Sequence, residues 1–207
     1  MSPMTRLKRL FSIALLAAAG LAAGCYLPTD FAADLRLERN GNYAFRYVGD
    51  LTDLSMLQRM ASGDLTGDDI AERAQYGRKD LARDKGFGGI DNIEYLGKAK
   101  FKVKFERRGN IRREKTFDFV RFNSRFLGVK RLADGTVVVF GGRPNPRALE
   151  QLEKAGLKAN GVLRIWTNAL VKDHNAQDIK PAGGLRIYIW TIKSLKQKPP
   201  RLKFDLQ

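Results

Sequence analysis

The segment Lys98-Ala99-Lys100-Phe101-Lys102-Val103-Lys104-Phe105 decides the fold class. Its apolar residues fall at every second position, and four lysines occupy the positions between. A period of two marks a β-strand that buries one face and leaves the other in water. The chain is expected to turn at Arg107-Arg108-Gly109-Asn110 and to return as a strand over residues 111–122, where Phe117 and Phe119 alternate again.

Upstream, residues 35–39 and 42–47 alternate on either side of Asn40-Gly41, a pair that supplies the positive φ angles of a type I′ hairpin turn. The period then changes. Leu51, Leu54, Leu57 and Ala61 predict a short amphipathic helix. Thr66, with Asp69 as capping-box partner, predicts the start of a second helix. Its Ile70, Ala74, Gly77 and Leu81 line one narrow face, and the small residues there imply close packing. Gly86-Phe87-Gly88-Gly89 ends the helical region.

Downstream, residues 126–132 and 136–140 predict a hairpin around Ala133-Asp134-Gly135. A helix capped by Asn145, with Pro146 first and Leu149 and Leu152 inward, ends near Gly156. Strands follow over 162–169 and 185–192, linked by a polar loop containing Pro181-Ala182-Gly183-Gly184, and a short terminal strand covers 202–206. About eight strands and three helices, grouped rather than alternating, predict an α+β fold. Its sheet would be mainly antiparallel, with the helices packed on one side. Repeated βαβ units are absent, which argues against a doubly wound nucleotide-binding fold.

The amino terminus carries a different message. Arg6, Lys8 and Arg9 precede an apolar run from Leu10 to Ala19, then Leu21-Ala22-Ala23-Gly24-Cys25, with no acidic residue before Cys25. A basic segment, a short apolar run and small residues before a cleavage point are the parts of a secretory signal. The run falls well short of the roughly 20 residues that cross a bilayer. The expected division is a signal over 1–24, a lipid-carrying residue and short tether over 25–31, and one domain over 32–207.

Without residues 1–24 the chain keeps 35 basic and 22 acidic residues, a net charge of +13. A basic cytosolic chain would suggest nucleic acid, but export removes that partner and leaves the anionic polymers of an envelope. From Lys98 to Arg131 there are 13 basic and three acidic residues. Lys98, Lys100, Lys102 and Lys104, with Arg112, Arg113 and Lys115 on the returning strand, are the candidate anion-binding patch. Catalytic chemistry finds little support. Cys25 is the only cysteine and His174 the only histidine, so Cys–His and His-rich metal sites are excluded. No cofactor or metal is expected. Phe101, Phe105, Trp166 and Trp190 are the candidates for an apolar ligand groove; core packing is the plainer role for the two tryptophans.

Ala22-Ala23-Gly24-Cys25 resembles the bacterial lipobox, in which the Cys thiol is diacylglycerated, the bond after Gly24 is cut, and the new amine is acylated. Tyr26 after the Cys, in place of Asp, implies under that resemblance the outer membrane, with the domain facing the periplasm. The order of lipobox, Asn-Gly hairpin, helices and β-rich half is similar to bacterial envelope lipoproteins. Asn175-Ala176 followed by Trp190 is similar to a strand-loop-strand pattern in LppM-type lipid-binding lipoproteins. The resemblance implies an envelope-associated α+β domain without catalytic residues. Its expected partners are the membrane through the N-terminal lipid, and anionic lipid, lipopolysaccharide, cell wall or another envelope protein.

Overall fold

The computed structural model describes residues 26–120, 126–142, 146–154 and 156–206. Gly24, Cys25 and the signal lie outside the described residues, as does Asn145. The elements are β1 (Tyr26–Leu37), β2 (Asn42–Asp53), α1 (Leu54–Ala61), α2 (Asp68–Ala82), β3 (Ile93–Gly97), β4 (Lys100–Asn110), α3 (Ile111–Glu114), β5 (Thr116–Phe119), β6 (Leu127–Arg131), β7 (Thr136–Gly141), α4 (Pro146–Lys154), β8 (Asn160–Thr167), β9 (Leu170–His174), β10 (Asp178–Ala182), β11 (Leu185–Ile192) and β12 (Arg201–Asp205). They form a mixed fold in which strands dominate.

The described strands form two sheets rather than the single sheet expected. The first has the order β10-β11-β8-β1-β2-β4-β3, and the second β5-β6-β7-β12-β9. Pairing is antiparallel except between β1 and β8, which run in parallel from Asp30↔Asn160 to Arg36↔Trp166. The expected tether over residues 26–31 is the first half of β1, the central strand of the first sheet. Its Phe31, Ala33, Leu35 and Leu37 point into the core at every second position. Between Pro28 and Phe31 the register to β2 shifts in a bulge. Gly49 lies opposite that bulge, and a Cβ there would stand 2.6 Å from Phe31 Cα.

The core is aromatic. Phe119 from the second sheet packs on Phe45, Tyr47 and Phe105 of the first, with ring centroids 5.0, 4.7 and 4.8 Å apart. Phe117 stacks beside it on Tyr43 and Phe45. At the β3–β4 side the inner face is covered by helix instead. Ala74, Gly77 and Leu81 of α2 are buried, as their spacing predicts. Gly77 is needed because a Cβ would stand 2.7 Å from Phe101 Cζ.

Local boundaries differ from expectation for identifiable reasons. Leu51 is the buried end of β2, and Asp53 caps α1 by accepting from the Met56 amide at 3.0 Å. Thr66 makes no side-chain cap; Gly67 stands at the N-cap of α2 with φ +51°. The β1–β2 connection is a three-residue loop closed by Gly41 N–H to Glu38 O at 2.8 Å. Only Gly41 has positive φ, +89°, so the turn is type I followed by a left-handed glycine, not type I′. Arg107-Arg108-Gly109-Asn110 does not turn, because β2 is long enough to pair with β4 as far as Asn42↔Asn110. Residues 111–114 form the turn of α3 and not a strand, and β5 then leaves for the second sheet. Lys98 and Ala99, at φ +49° and +60°, make the β3–β4 turn and are not part of the ladder strand. The polar loop expected between 169 and 185 holds β9 and β10, one in each sheet. Strand expectations over 126–132, 136–140, 162–169, 185–192 and 202–206 match β6, β7, β8, β11 and β12 to within two residues at each end.

Because Phe119 joins the two sheets, Phe119→Ala should cost about 3–5 kcal/mol in urea unfolding. A loss below about 1 kcal/mol would mean that the sheets do not share this core.

Candidate functional site

The structure divides the anticipated basic patch. Lys98 and Lys100 lie where β4 begins, and Arg112, Arg113 and Lys115 lie beyond its far end. Eleven residues of extended chain, Lys100–Asn110, span roughly 35 Å. The two groups therefore cannot contact one small ligand. They form two poles of the first sheet.

The ladder between the poles is not uniformly basic. Lys100, Lys102 and Lys104 do share the outer face, as the alternation predicts. Lys100 Nζ, however, lies 3.8 Å from Asp30 and 4.0 Å from Asp50. Lys102 stands between Asp50 and Glu94 in the strand register. The next position on that face is Glu106, paired with Arg46 at 3.3 Å. Partial burial holds the Asp50 carboxyl above the ordinary range; Lys100 opposes this, Asp30 adds to it, and Lys102 opposes it more weakly. The face alternates in sign across neighbouring strands, which suits sheet stability more than anion capture.

The pole at the hairpin tip is more concentrated. Asn110 ends β4 and caps α3 by accepting from the Arg112 amide at 2.9 Å, while its side-chain amide donates to Asn42 Oδ1 at 2.7 Å. The Ile111 amide donates to Gly41 O at 2.8 Å, fixing α3 against the hairpin loop. Arg112 then donates from Nε to Asn40 O at 3.1 Å and from Nη2 to Arg39 O at 3.3 Å. Lys115 follows with φ +63°, and its carbonyl accepts from the Arg131 amide at 2.8 Å. These contacts gather Arg39, Arg107, Arg112, Arg113, Lys115, Lys130 and Arg131 around Glu38 and Glu114. Glu114 is engaged: it accepts from Tyr43 at 2.8 Å and from Arg107 at 2.9 Å. Burial, with that bond to Glu114, pushes the Tyr43 hydroxyl well above its ordinary range. Glu38 is held by Arg36 at 3.0 Å. Arg39, Arg113, Lys115 and Lys130 are exposed.

The pole at the start of β1 gathers residues that sequence spacing leaves apart. Parallel pairing places Asn160 beside Asp30, and antiparallel pairing places Lys100 beside Thr52. Lys100, Lys158 and Lys193 thereby line one depression of about 410 Å³ with Thr29, Asp30 and Asn160. No local motif could have identified Lys158 and Lys193. The parallel β1–β8 pair brings Lys158 to this end, and Lys193 arrives with β11.

The aromatic candidates do not converge on one groove. Phe101 and Phe105 are buried against α2 and the 3₁₀ turn Lys85–Phe87. Trp190 is buried on β11, roughly 19 Å away across four strand spacings. Trp166 is half-buried on the opposite face, its indole donating to Asp34 at 3.4 Å. Asn175 has a clear role: its Oδ1 accepts from the Trp190 indole at 2.9 Å and from the Arg201 amide at 2.7 Å, tying β11 to β12. His174 lies on β9 with its ring edge against Tyr188. Among the described residues no cluster of His, Cys, Asp or Glu could hold a metal ion, and no helix is long and apolar enough to cross a membrane.

No family model and no curated protein matches the chain. Among solved structures it is similar to the folded domain of LppM from Mycobacterium tuberculosis, at 10% identity and a TM-score of 0.42, over 88% of this chain and 92% of that one. At these values the two share no more than a distant likeness of shape.

The geometry separates a structural arginine from an accessible one. Arg112→Ala should cost about 1–2 kcal/mol, because the Arg39 carbonyl loses its side-chain donor and the Asn40 carbonyl keeps only Asn110 Nδ2 at 3.4 Å, while Arg113→Ala should change stability by less than about 0.5 kcal/mol. Thermal unfolding of both variants checks this, and equal losses would contradict it.

Proposed function

We propose that this is a non-enzymatic lipoprotein, acylated at Cys25, anchored in the outer membrane and facing the periplasm, whose hairpin-tip pole holds an anionic envelope component. Lipid, lipopolysaccharide and cell-wall strands share the required chemistry of repeated negative charge. The supporting observation is the position of the pole. β1 begins one residue after Cys25 and ends at Leu37, next to the tip loop. Twelve extended residues carry the tip roughly 40 Å from the anchor, several Debye lengths from the anchoring membrane. The exposed Arg39, Arg113, Lys115 and Lys130 there, with Glu38 and Glu114 engaged and Asp84, Glu106 and Asp118 set back beside Arg107, can attract a charged polymer lying in the periplasm.

The reading replaces the strand face with the tip as the contact. The soluble domain, residues 26–207, should bind sheared cell-wall polymer or anionic vesicles with an affinity that falls as salt rises. Reversing Arg39, Arg113 and Lys130 to Glu should weaken binding by roughly tenfold or more. Reversing Lys100, Lys102 and Lys104 should weaken cell-wall binding less. Binding untouched by the tip variant would contradict the reading.

A second reading, docking of an envelope protein, is favoured by the edge of β4. Among the described strands, β3 pairs with β4 only as far as Ile93↔Val103, so the edge from Lys104 to Asn110 is open to an added strand. A stoichiometric partner that survives high salt would support it.

A further inference from the structure

We propose that the opposite pole rests directly on the bilayer that anchors the chain, with Lys98, Lys158 and Lys193 meeting anionic phospholipid headgroups. This rests on the acylation of Cys25. The chain has no slack between anchor and domain. Tyr26 already pairs with Asp53, and its buried ring packs edge-on against Phe101 at 6.2 Å. One Cα–Cα step of about 3.8 Å therefore separates a lipid-bearing residue 25 from the central strand of the sheet. Whatever lies at that end of the sheet is pressed to the membrane surface.

The registers name what lies there. β4 begins at Lys100 beside Thr52, β8 begins at Asn160 beside Asp30, and β11 ends at Ile192 beside Gly161. Lys98 in the β3–β4 turn, Lys158 before β8 and Lys193 after β11 border the same end. Lys98, Lys158 and Lys193 are exposed, and none is in an ion pair among the described residues. Of the acidic groups at this end, Asp30 and Asp50 face Lys100, Asp53 is buried against Arg73 at 3.1 Å and Glu153 pairs with Lys196 at 2.6 Å, while Asp64, Asp68, Asp69 and Glu72, on the helical segment that follows β2, are exposed. Beside Lys98, Leu96 is 46% exposed, an apolar side chain suited to the headgroup boundary. Each lysine held at an anionic surface strengthens the contact about fivefold. Together they fix the domain upright, with the hairpin tip outward.

The test uses the full acylated chain in nanodiscs. The acyl group occupies Cys25, so an introduced cysteine takes a fluorophore alone, at Ser194→Cys beside Lys193 or at Arg113→Cys at the tip. With a quencher on the lipid headgroups, the label at 194 should be quenched at least several-fold more strongly than that at 113 in nanodiscs containing phosphatidylglycerol. The contrast should shrink in purely zwitterionic nanodiscs and in the variant with Lys98, Lys158 and Lys193 changed to Glu. Equal quenching at both positions on an acylated chain would overturn this proposal alone. A contrast unchanged by the three reversals would overturn the role given to the lysines. An intact mass without acyl chains would overturn the lipoprotein reading as well.

Discussion

The structure depends on hydrogen bonding along both edges of β1. This strand pairs antiparallel with β2 from Tyr26 to Leu37 and parallel with β8 from Asp30 to Arg36. A central strand satisfies its backbone groups on both sides, and its inward residues then seed the core. β2 templates β4, and β8 templates β11. The inner face so assembled presents Tyr43, Phe45, Tyr47, Phe101 and Phe105, on which α2 and the second sheet close. Loss of β1 would leave β2 and β8 as unpaired edges and expose the aromatic face.

The same strand gives the molecule its polarity. One end lies next in sequence to Cys25, the proposed acylation site, and the other lies beneath the hairpin tip with its basic residues. Exposed basic side chains gather at the tip and border the other end, whereas along the lysine ladder Asp50, Glu94 and Glu106 offset the charge. Basic groups at both ends of one sheet are the arrangement on which the proposal of two anionic contacts rests. The aromatic residues, Trp190 and Phe101 among them, serve the core; no described cavity places them around a common ligand.

Alternation and helical spacing disclosed most of the elements. The β4 pattern, the α2 face and the strands of the carboxyl-terminal half follow from periodicity that burial then obeys. What periodicity could not disclose was partnership. Residues 26–31 read as a tether because Pro28, Thr29 and Asp30 break alternation at the bulge; pairing with β2 from Tyr26 and with β8 from Asp30 holds them in the sheet. Arg107–Asn110 read as a turn because glycine and polar residues favour one, but the length of β2 draws β4 onward. β9 and β10 are short and largely exposed, so they lack the apolar signal of a buried strand. The candidate patch was legible as composition and misassigned as a surface, since charge runs along a chain say nothing of which ends a sheet brings together.

The placement of β1 is most directly examined by hydrogen exchange resolved at single amides. With β1 bonded to β2 along its length and to β8 from Asp30 to Arg36, the amides of residues 31–36 should belong to the slowest-exchanging set, opening only with the whole domain, and that of Leu27 should be protected by β2. Exchange of residues 27–31 at the rate of an unprotected chain, while β2 and β4 stay protected, would show a tether there and contradict the account.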